Sequence, residues 1–148
     1  MRFIYTTDLH GDIKKYQDVL RFAEEQGIKL IHLGADLLPK TSGILQAQKK
    51  FINGFLQSFY TECQSKSIKV LAFFGNDDIY TRKKYFRKYA PLLDEEPQEH
   101  EGYTFKAYGY VPDLPFGLKQ ACKNDSPGWK LEELYFQTPT DVDEKGFH

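Results

Sequence analysis

Residues that could bind a metal ion occur in three short polar segments of the chain. The segments are Asp8-Leu9-His10, Gly34-Ala35-Asp36 and Gly75-Asn76-Asp77-Asp78. On an extended backbone the side chains of Asp8 and His10 point the same way, so a carboxylate oxygen and an imidazole nitrogen can meet one divalent transition metal. Each segment alone also has an ordinary explanation, because Asp and Asn favour turns and helix N-caps.

Each polar segment directly follows a run of residues typical of a β-strand. The predicted elements are strands over 2–7, 28–33 and 68–74, and helices over 13–27 and 44–59. This alternation predicts an α/β fold, a βαβαβ unit with a mostly parallel sheet. The carboxyl ends of parallel strands meet at one edge, so carboxylates from the three segments would converge and repel each other unless cations neutralise them. The sequence therefore predicts a metal centre at that edge.

The three segments, in this order on successive βα units, resemble the signature of the calcineurin-like metallophosphoesterases, which runs D-x-H, then G-D, then G-N-H-[DE]. The resemblance covers about residues 1–80. It implies a four-layered α/β sandwich that holds two divalent metal ions, commonly manganese, iron, zinc or nickel, and hydrolyses phosphoesters. By this likeness Asp8 and His10 bind the first metal, Asp36 bridges the two, and Asn76 binds the second.

Two residues depart from the family pattern within these segments. Asp77 occupies the place of a histidine that, in the family, stabilises the transition state or protonates the leaving oxygen. Asp77 is therefore the candidate catalytic residue, and we expect a lower rate or a more acidic optimum, because a carboxylate repels phosphate unless it is protonated. Ala35 stands where the family usually has glycine, and its methyl group is expected to shift the backbone slightly.

The family completes its metal shells with an isolated histidine and a later G-H-x-H motif, and this chain contains neither. His32 is expected to pack within the second strand, His100 to be solvated, and His148 to lie too close to the terminus to be a positioned ligand. We therefore expect residues 1–148 to form one incomplete or truncated domain, a partial sandwich. A homodimer partner or a missing C-terminal half would supply the remaining ligands and cover the open face of the sheet.

The region after residue 80 supports a different hypothesis. The sequence predicts a basic, aromatic helix over 81–89, an acidic loop over 94–101, a strand over 103–110 and a helix over 131–136. Basic side chains interleaved with tyrosine and phenylalanine can grip phosphates and stack bases, so a nucleic-acid-binding module through residues 82–89 is one alternative. A solvated helix face balanced by the acidic loop is the favoured interpretation. A non-catalytic metallophosphoesterase-like binding or regulatory module is the other alternative.

The composition limits the classes of partner. The 148 residues carry 20 Lys and Arg against 21 Asp and Glu, so no overall field attracts the chain to nucleic acid or anionic lipid. No signal-peptide pattern or long apolar run occurs, which predicts a cytoplasmic protein without a membrane partner. Cys63 and Cys122 lack metal-ligand or CxxC spacing and are predicted to be reduced thiols. The leading hypothesis is a metal-dependent hydrolase acting on a phosphoester substrate.

Overall fold

A three-stranded parallel sheet forms the centre of the protein. The computed structural model describes residues 1–111 and 119–122. Strands β1 (Ile4–Thr7), β2 (Leu30–Gly34) and β3 (Lys69–Phe73) lie in the order β1-β2-β3, all parallel. The prediction of a mixed α/β fold with a parallel sheet is confirmed. The helix predicted over 131–136 lies outside the described residues.

Helix α1 (Ile13–Glu25) connects β1 to β2. It begins where the Asp12 carboxylate accepts hydrogen bonds from the backbone N–H groups of Lys14 (3.0 Å) and Lys15 (3.3 Å), an N-cap that satisfies two amides of the first turn. Its apolar face buries Tyr16, Leu20 and Ala23 against the sheet. The chain leaves the helix through Gly27 at a φ of 62°, a left-handed conformation that glycine adopts without a Cβ clash.

The second crossover contains two helices joined by a wider turn. Helix α2 (Ile44–Phe51) leads into a π-helical turn (Ile52–Leu56), which is followed by helix α3 (Gln57–Ser65). The prediction of one regular helix over 44–59 is therefore wrong, because the π turn interrupts the helix and α3 extends to residue 65. The reason is aromatic packing. Phe51, Phe55 and Phe59 step by four residues, which overshoots the α-helical turn of about 3.6 residues, and the wider π turn takes up the difference. All three rings contact Tyr16, at centroid distances of 5.8, 5.4 and 5.2 Å.

The second face of the sheet is covered in part by a hairpin. Strands β4 (Gln98–His100) and β5 (Tyr103–Phe105) pair antiparallel, so the acidic loop predicted over 94–101 ends in a strand, and the strand predicted over 103–110 is only three residues long. The side chain of His100 is 17% exposed, because strand pairing holds it against the protein, and the prediction of a solvated His100 is wrong. Leu30, Leu71 and Leu93 are buried under this layer.

A short helical segment follows the β3 loop. It consists of a 3₁₀ turn (Tyr80–Arg82) and helix α4 (Lys83–Phe86), where the sequence predicts one helix over 81–89. The buried ring of Phe86 packs edge-on against Phe74 at 5.4 Å and anchors the segment to the core. No helix in the described part of the chain has both the length and the apolar character needed to cross a membrane.

Candidate metal centre

The segment after β1 is bound to the segment after β2 through the backbone. The amide N–H of Asp8 donates to the carbonyl of Ala35 at 3.2 Å, and that of His10 donates to the carbonyl of Asp36 at 2.8 Å. The hydroxyl of Thr7 donates to the Asp8 carboxylate. These bonds continue the pairing of β1 with β2 beyond the strands and fix the two segments side by side.

Both segments adopt left-handed backbone conformations at residues other than glycine. Asp8, His10, Ala35 and Asp36 have φ values of 57°, 45°, 52° and 50°. Such a conformation costs about 1 kcal/mol for a residue with a Cβ, and residues held in it cluster at functional sites. The methyl group of Ala35 therefore carries a conformational cost that glycine would not.

The left-handed turns bring three predicted ligands together. Asp8, His10 and Asp36, hereafter the rim cluster, each offer one ligand atom within 4.8 Å of the others. The Nδ1 atom of His10 is buried and has no hydrogen-bond partner. Two carboxylates and an imidazole are a donor set that suits manganese, iron or zinc, and an unsatisfied buried imidazole nitrogen fits a coordinating role. The geometry is compatible with a bound cation, whose presence stays a prediction.

The segment after β3 contacts the rim cluster through Asp36. The backbone N–H of Asp77 donates to Asp36 Oδ1 at 2.9 Å. A Cβ atom at Gly75 would lie 2.6 Å from the backbone nitrogen of Asp36, so this approach requires glycine. Asn76 lies between these two contacts, and its amide nitrogen donates to Asp77 Oδ1 at 3.3 Å. Asn76 thus lies between two residues whose backbones contact Asp36, and its role as a metal ligand stays a prediction.

Burial sets the electrostatics of Asp36. It raises the pKa of the Asp36 carboxyl, and the charges of Asp77 and Asp8 act in the same direction. The backbone hydrogen bond from Asp77 and the proximity of His10 oppose this rise. Across residues 1–111 and 119–122, no lysine or arginine forms an ion pair with Asp36. A divalent cation would relieve this repulsion.

Asp77, the candidate catalytic residue, forms an ion pair that the sequence did not predict. Its Oδ2 lies 2.8 Å from Lys40 Nζ and 4.0 Å from His10 Nδ1. The hydrogen bond to Asp77 raises the pKa of Lys40. Lys40 lies six positions after the last residue of β2, in a loop where nothing in the local pattern distinguishes it from an ordinary surface lysine. Asp77 is thus neutralised by a lysine, whereas the sequence alone suggested a proton.

Two fully buried polar side chains hold the loops in place: Asp78, which the sequence analysis counted among the possible metal-binding residues, and Gln48, which it did not single out. Asp78 accepts hydrogen bonds from the backbone N–H groups of Leu37 (3.1 Å), Leu38 (2.8 Å) and Gly75 (2.9 Å), and burial raises its pKa to about 7 against their opposing effect. Gln48 donates to the Asp77 carbonyl at 2.8 Å and accepts from the Ile79 N–H at 2.9 Å. Asp78 therefore positions backbone and is not part of the rim cluster.

The other candidate residues have structural surroundings. His32 packs among aromatic rings on the second sheet face, 4.9 Å from Tyr5 and 5.8 Å from Phe73, as the sequence predicts, and burial lowers its pKa. His148 lies outside the described residues. Cys63 is a buried, unbridged thiol whose pKa burial raises to about 12, and Cys122 is also unbridged.

Two of the five basic residues in segment 82–89 pair with acidic residues, and the other three, Arg82, Lys84 and Lys88, lie near the ring of Tyr85. Arg82 and Lys83 are 3% and 8% exposed. Lys83 pairs with Asp94, and the Arg87 Nε atom donates to Glu95 Oε2 at 2.6 Å. These four residues, Lys83, Arg87, Asp94 and Glu95, are hereafter the ion-pair cluster. Their pairing favours the interpretation of this segment as a structural, charge-balanced surface.

Comparison with known proteins yields no relative. No protein-family model, no curated protein and no solved structure matches the chain. The function must therefore be argued from the residues and their geometry.

Proposed function

We propose that the chain is a metal-dependent phosphoesterase of the calcineurin-like type, with a site for two divalent ions at the carboxyl edge of the sheet. The observation that carries the proposal is the convergence of Asp8, His10 and Asp36 within 4.8 Å of one another, next to the Asn76 segment. The loops after the three parallel strands contact one another at one edge of the sheet, which supports the proposal. The overall architecture in this proposal is part of a four-layered sandwich.

The roles of the residues follow from their positions. Asp8 and His10 would hold one ion, Asp36 would bridge to the second, and Asn76 would bind the second. When bound, the ions acidify a water nucleophile and neutralise the phosphoryl oxygens, and manganese, iron, zinc or nickel can serve. Asp36 is suited to bridging because Asp77 occupies only one of its oxygens as a hydrogen-bond acceptor. Asp77, with Lys40, faces this site at the position that the resemblance assigns to catalysis.

The motif resemblance also implies histidine ligands that the chain does not provide in matching motifs. We propose that another polypeptide segment, in the simplest case a second copy of the chain, completes the coordination. On the second sheet face, Phe3 and Tyr5 are 44% and 54% exposed, so apolar surface remains for such a contact. Light scattering of the manganese-loaded and metal-free protein would measure whether the chain dimerises.

The test of the proposed function is hydrolysis of chromogenic phosphoesters. The purified chain is incubated with Mn²⁺ and either bis-p-nitrophenyl phosphate or p-nitrophenyl phosphate, and product release is followed. Asp36→Asn removes the charge of one proposed ligand without changing its shape, and Asn76→Ala removes the side-chain amide of another, so each should lower turnover strongly, about 1000-fold for Asp36→Asn. Asp18→Asn is the matched control, because Asp18 is a carboxylate of α1 that pairs with Lys14 and Arg21 on the surface. Turnover that survives both ligand substitutions would contradict the site assignment.

A non-catalytic metal-binding module is the second candidate, favoured by Asp77 at the catalytic histidine position. In this case Mn²⁺ raises the melting temperature of the wild-type chain, Asp36→Asn removes that shift, and no phosphoester is hydrolysed. The two candidates thus share a metal site and differ in turnover alone.

The nucleic-acid hypothesis makes a separate prediction. It requires a salt-sensitive oligonucleotide affinity that disappears when Arg82, Lys83 and Lys84 are neutralised. The burial of Arg82 and Lys83 argues against it.

A further inference from the structure

Lys40 places a positive charge beside the proposed metal centre. Its Nζ atom contacts Asp77 Oδ2 at 2.8 Å, and the same carboxylate oxygen lies 4.0 Å from His10 Nδ1. The side chain of Lys40 is 63% exposed, whereas that of Asp77 is 16% exposed. An ammonium group has three N–H donors, so the bond to Asp77 leaves two that can reach solvent or a ligand.

The backbone around this ion pair is fixed from both sides. Gln48 is fully buried on α2, and its amide nitrogen donates to the Asp77 carbonyl at 2.8 Å and to the Pro39 carbonyl at 3.3 Å. Asp78 binds the amides of Leu37 and Leu38 in the loop that carries Lys40. Buried side chains therefore hold the two loops at a set distance. These bonds satisfy buried backbone groups and at the same time fix the places from which Lys40 and Asp77 extend.

The charge at this place matters for an anionic substrate. A bare Asp77 carboxylate would repel a phosphoryl group that approaches the rim cluster, whereas the ion pair presents a neutral surface with ammonium N–H groups on its exposed side. Resting on the proposed function, we propose that Lys40 binds the phosphoryl oxygens of the substrate, with Asp77 as its anchor. Lys40 would thus offer the phosphoryl group the positive charge that Asp77, in the place of the family's histidine, does not offer.

The experiment measures binding of inorganic phosphate to the manganese-loaded protein by titration calorimetry, after a separate titration with Mn²⁺ alone. Lys40→Gln should weaken phosphate binding about 10- to 100-fold, the usual effect of losing a charge-assisted hydrogen bond, and leave Mn²⁺ affinity unchanged. Lys40→Arg keeps the charge and should retain most of the affinity. Lys66→Gln is the matched control, because Lys66 pairs with Glu24 at 2.6 Å in the turn preceding β3, away from the carboxyl edge.

Asp77→Asn separates ligand binding from a structural role. Lys40→Gln and Asp77→Asn break the same ion pair, so a merely structural pair would give both variants the same phosphate affinity. Under the proposal only Lys40→Gln loses the affinity. Asp77→Asn binds phosphate as well as the wild type or better, because the asparagine carbonyl can still accept a hydrogen bond from Lys40 while a competing negative charge is removed. In turnover assays Lys40→Gln should raise KM more than it lowers kcat, since the ammonium contacts phosphate in the ground state and the transition state alike.

The outcomes separate the inference from the proposed function. If the wild type binds Mn²⁺ and phosphate but Lys40→Gln binds phosphate equally well, the role of Lys40 is overturned while the metal site stands. Equal losses in Lys40→Gln and Asp77→Asn would also overturn it. If the wild type binds no Mn²⁺, the proposed function fails and the inference fails with it.

Discussion

The rim cluster and the ion-pair cluster both gather carboxylates, but different partners balance their charge. In the ion-pair cluster, Lys83 pairs with Asp94, and Arg87 pairs with Glu95. In the rim cluster, Asp8 and Asp36 converge on the imidazole of His10, and the neighbouring Lys40 bonds to Asp77 instead. Lysine and arginine thus pair with the acids of the ion-pair cluster, whereas neither forms an ion pair with Asp36 among the residues that the structure describes.

The pKa directions express the same contrast. The hydrogen bond from Arg87 lowers the pKa of Glu95, whereas burial raises the pKa of Asp36. A lowered carboxyl pKa means that the folded protein favours the charge, and a raised one means that it does not. The rim cluster also carries backbone strain, because Asp8 and Asp36 have left-handed backbone conformations. Strain and unbalanced charge thus distinguish the rim cluster from the ion-pair cluster, although both are rich in carboxylates.

Asp36→Asn should give the largest effect. We expect turnover to fall about 1000-fold, equivalent to about 4 kcal/mol of transition-state stabilisation, because a bridging ligand is lost. The metal-free variant should be as stable as the wild type or more so, since a desolvated charge is removed. Rates with Mn²⁺ and urea unfolding in EDTA check the two parts. Strong destabilisation without loss of turnover would reverse the roles of the two clusters.

Asp94→Asn should act in the opposite way. The side chains of Asp94 and Lys83 are 8% and 10% exposed, so the substitution leaves a buried ammonium with only its more distant partner, Glu95 at 3.7 Å, and should lower the free energy of unfolding by about 2 kcal/mol. Turnover per folded molecule should stay at the wild-type level. Urea unfolding measures the loss, and Asp18→Asn, in an exposed ion pair, should cost less than about 1 kcal/mol. A loss no larger than that of the control would show that the pair is not buried in solution.

Gly75→Ala tests the contact between the third strand end and the rim cluster. The added methyl would meet Asp36, so we expect the carboxylate to shift and Mn²⁺ affinity to fall about 10- to 100-fold. Calorimetric titration with Mn²⁺ provides the measurement. Gly54→Ala is the control, because no heavy atom lies within 4 Å of a Cβ at that position. Equal Mn²⁺ affinity in Gly75→Ala and the wild type would show that the segment after β3 does not contribute to the proposed metal site.

Ala35→Gly should relieve strain in the rim region. At a φ of 52° the alanine Cβ is crowded, and we expect glycine to raise the free energy of unfolding by about 0.5–1 kcal/mol. The same substitution at Ala47, inside α2, should lower it by about 1 kcal/mol, because glycine is a poor helix former. Urea unfolding of both variants measures the two changes in the free energy of unfolding. Destabilisation at both positions would contradict the left-handed conformation of residue 35.

Glu95→Gln should give the smallest effect and should depend on pH. Because Arg87 lowers the pKa of Glu95, the stabilisation is present above the ordinary carboxyl pKa and is lost as pH falls through the lower folded value. We expect the free energy of unfolding of the wild type to exceed that of the variant by about 0.5–1 kcal/mol at neutral pH, and this difference to disappear as Glu95 becomes protonated at acid pH. Unfolding curves from neutral to acid pH show whether the difference between the wild type and the variant shrinks toward acid, as expected. A difference that grows toward acid would exclude a charge-stabilised Glu95.

The parts of the fold that could be predicted are those that depend on local patterns of apolar residues. Continuous apolar runs located β1, β2 and β3, and the spacing of Tyr16, Leu20 and Ala23 located α1. The π turn between α2 and α3 was not predictable, because it depends on three phenylalanines that all pack on a ring from another helix. Strand β4 was missed because its three residues, Gln98–His100, include no β-branched or aliphatic residue, whereas β5 lies within the strand predicted over 103–110.

The sequence by itself determined which residues can bind metal and that they follow successive strands, since ligand chemistry and strand pattern are properties of nearby residues. Only the tertiary structure decided that Lys40 bonds to Asp77, and that Gln48 and Asp78 hold the loops. These contacts join residues 29 to 41 positions apart, and whether two such side chains meet is set by how the loops pack after the sheet has formed.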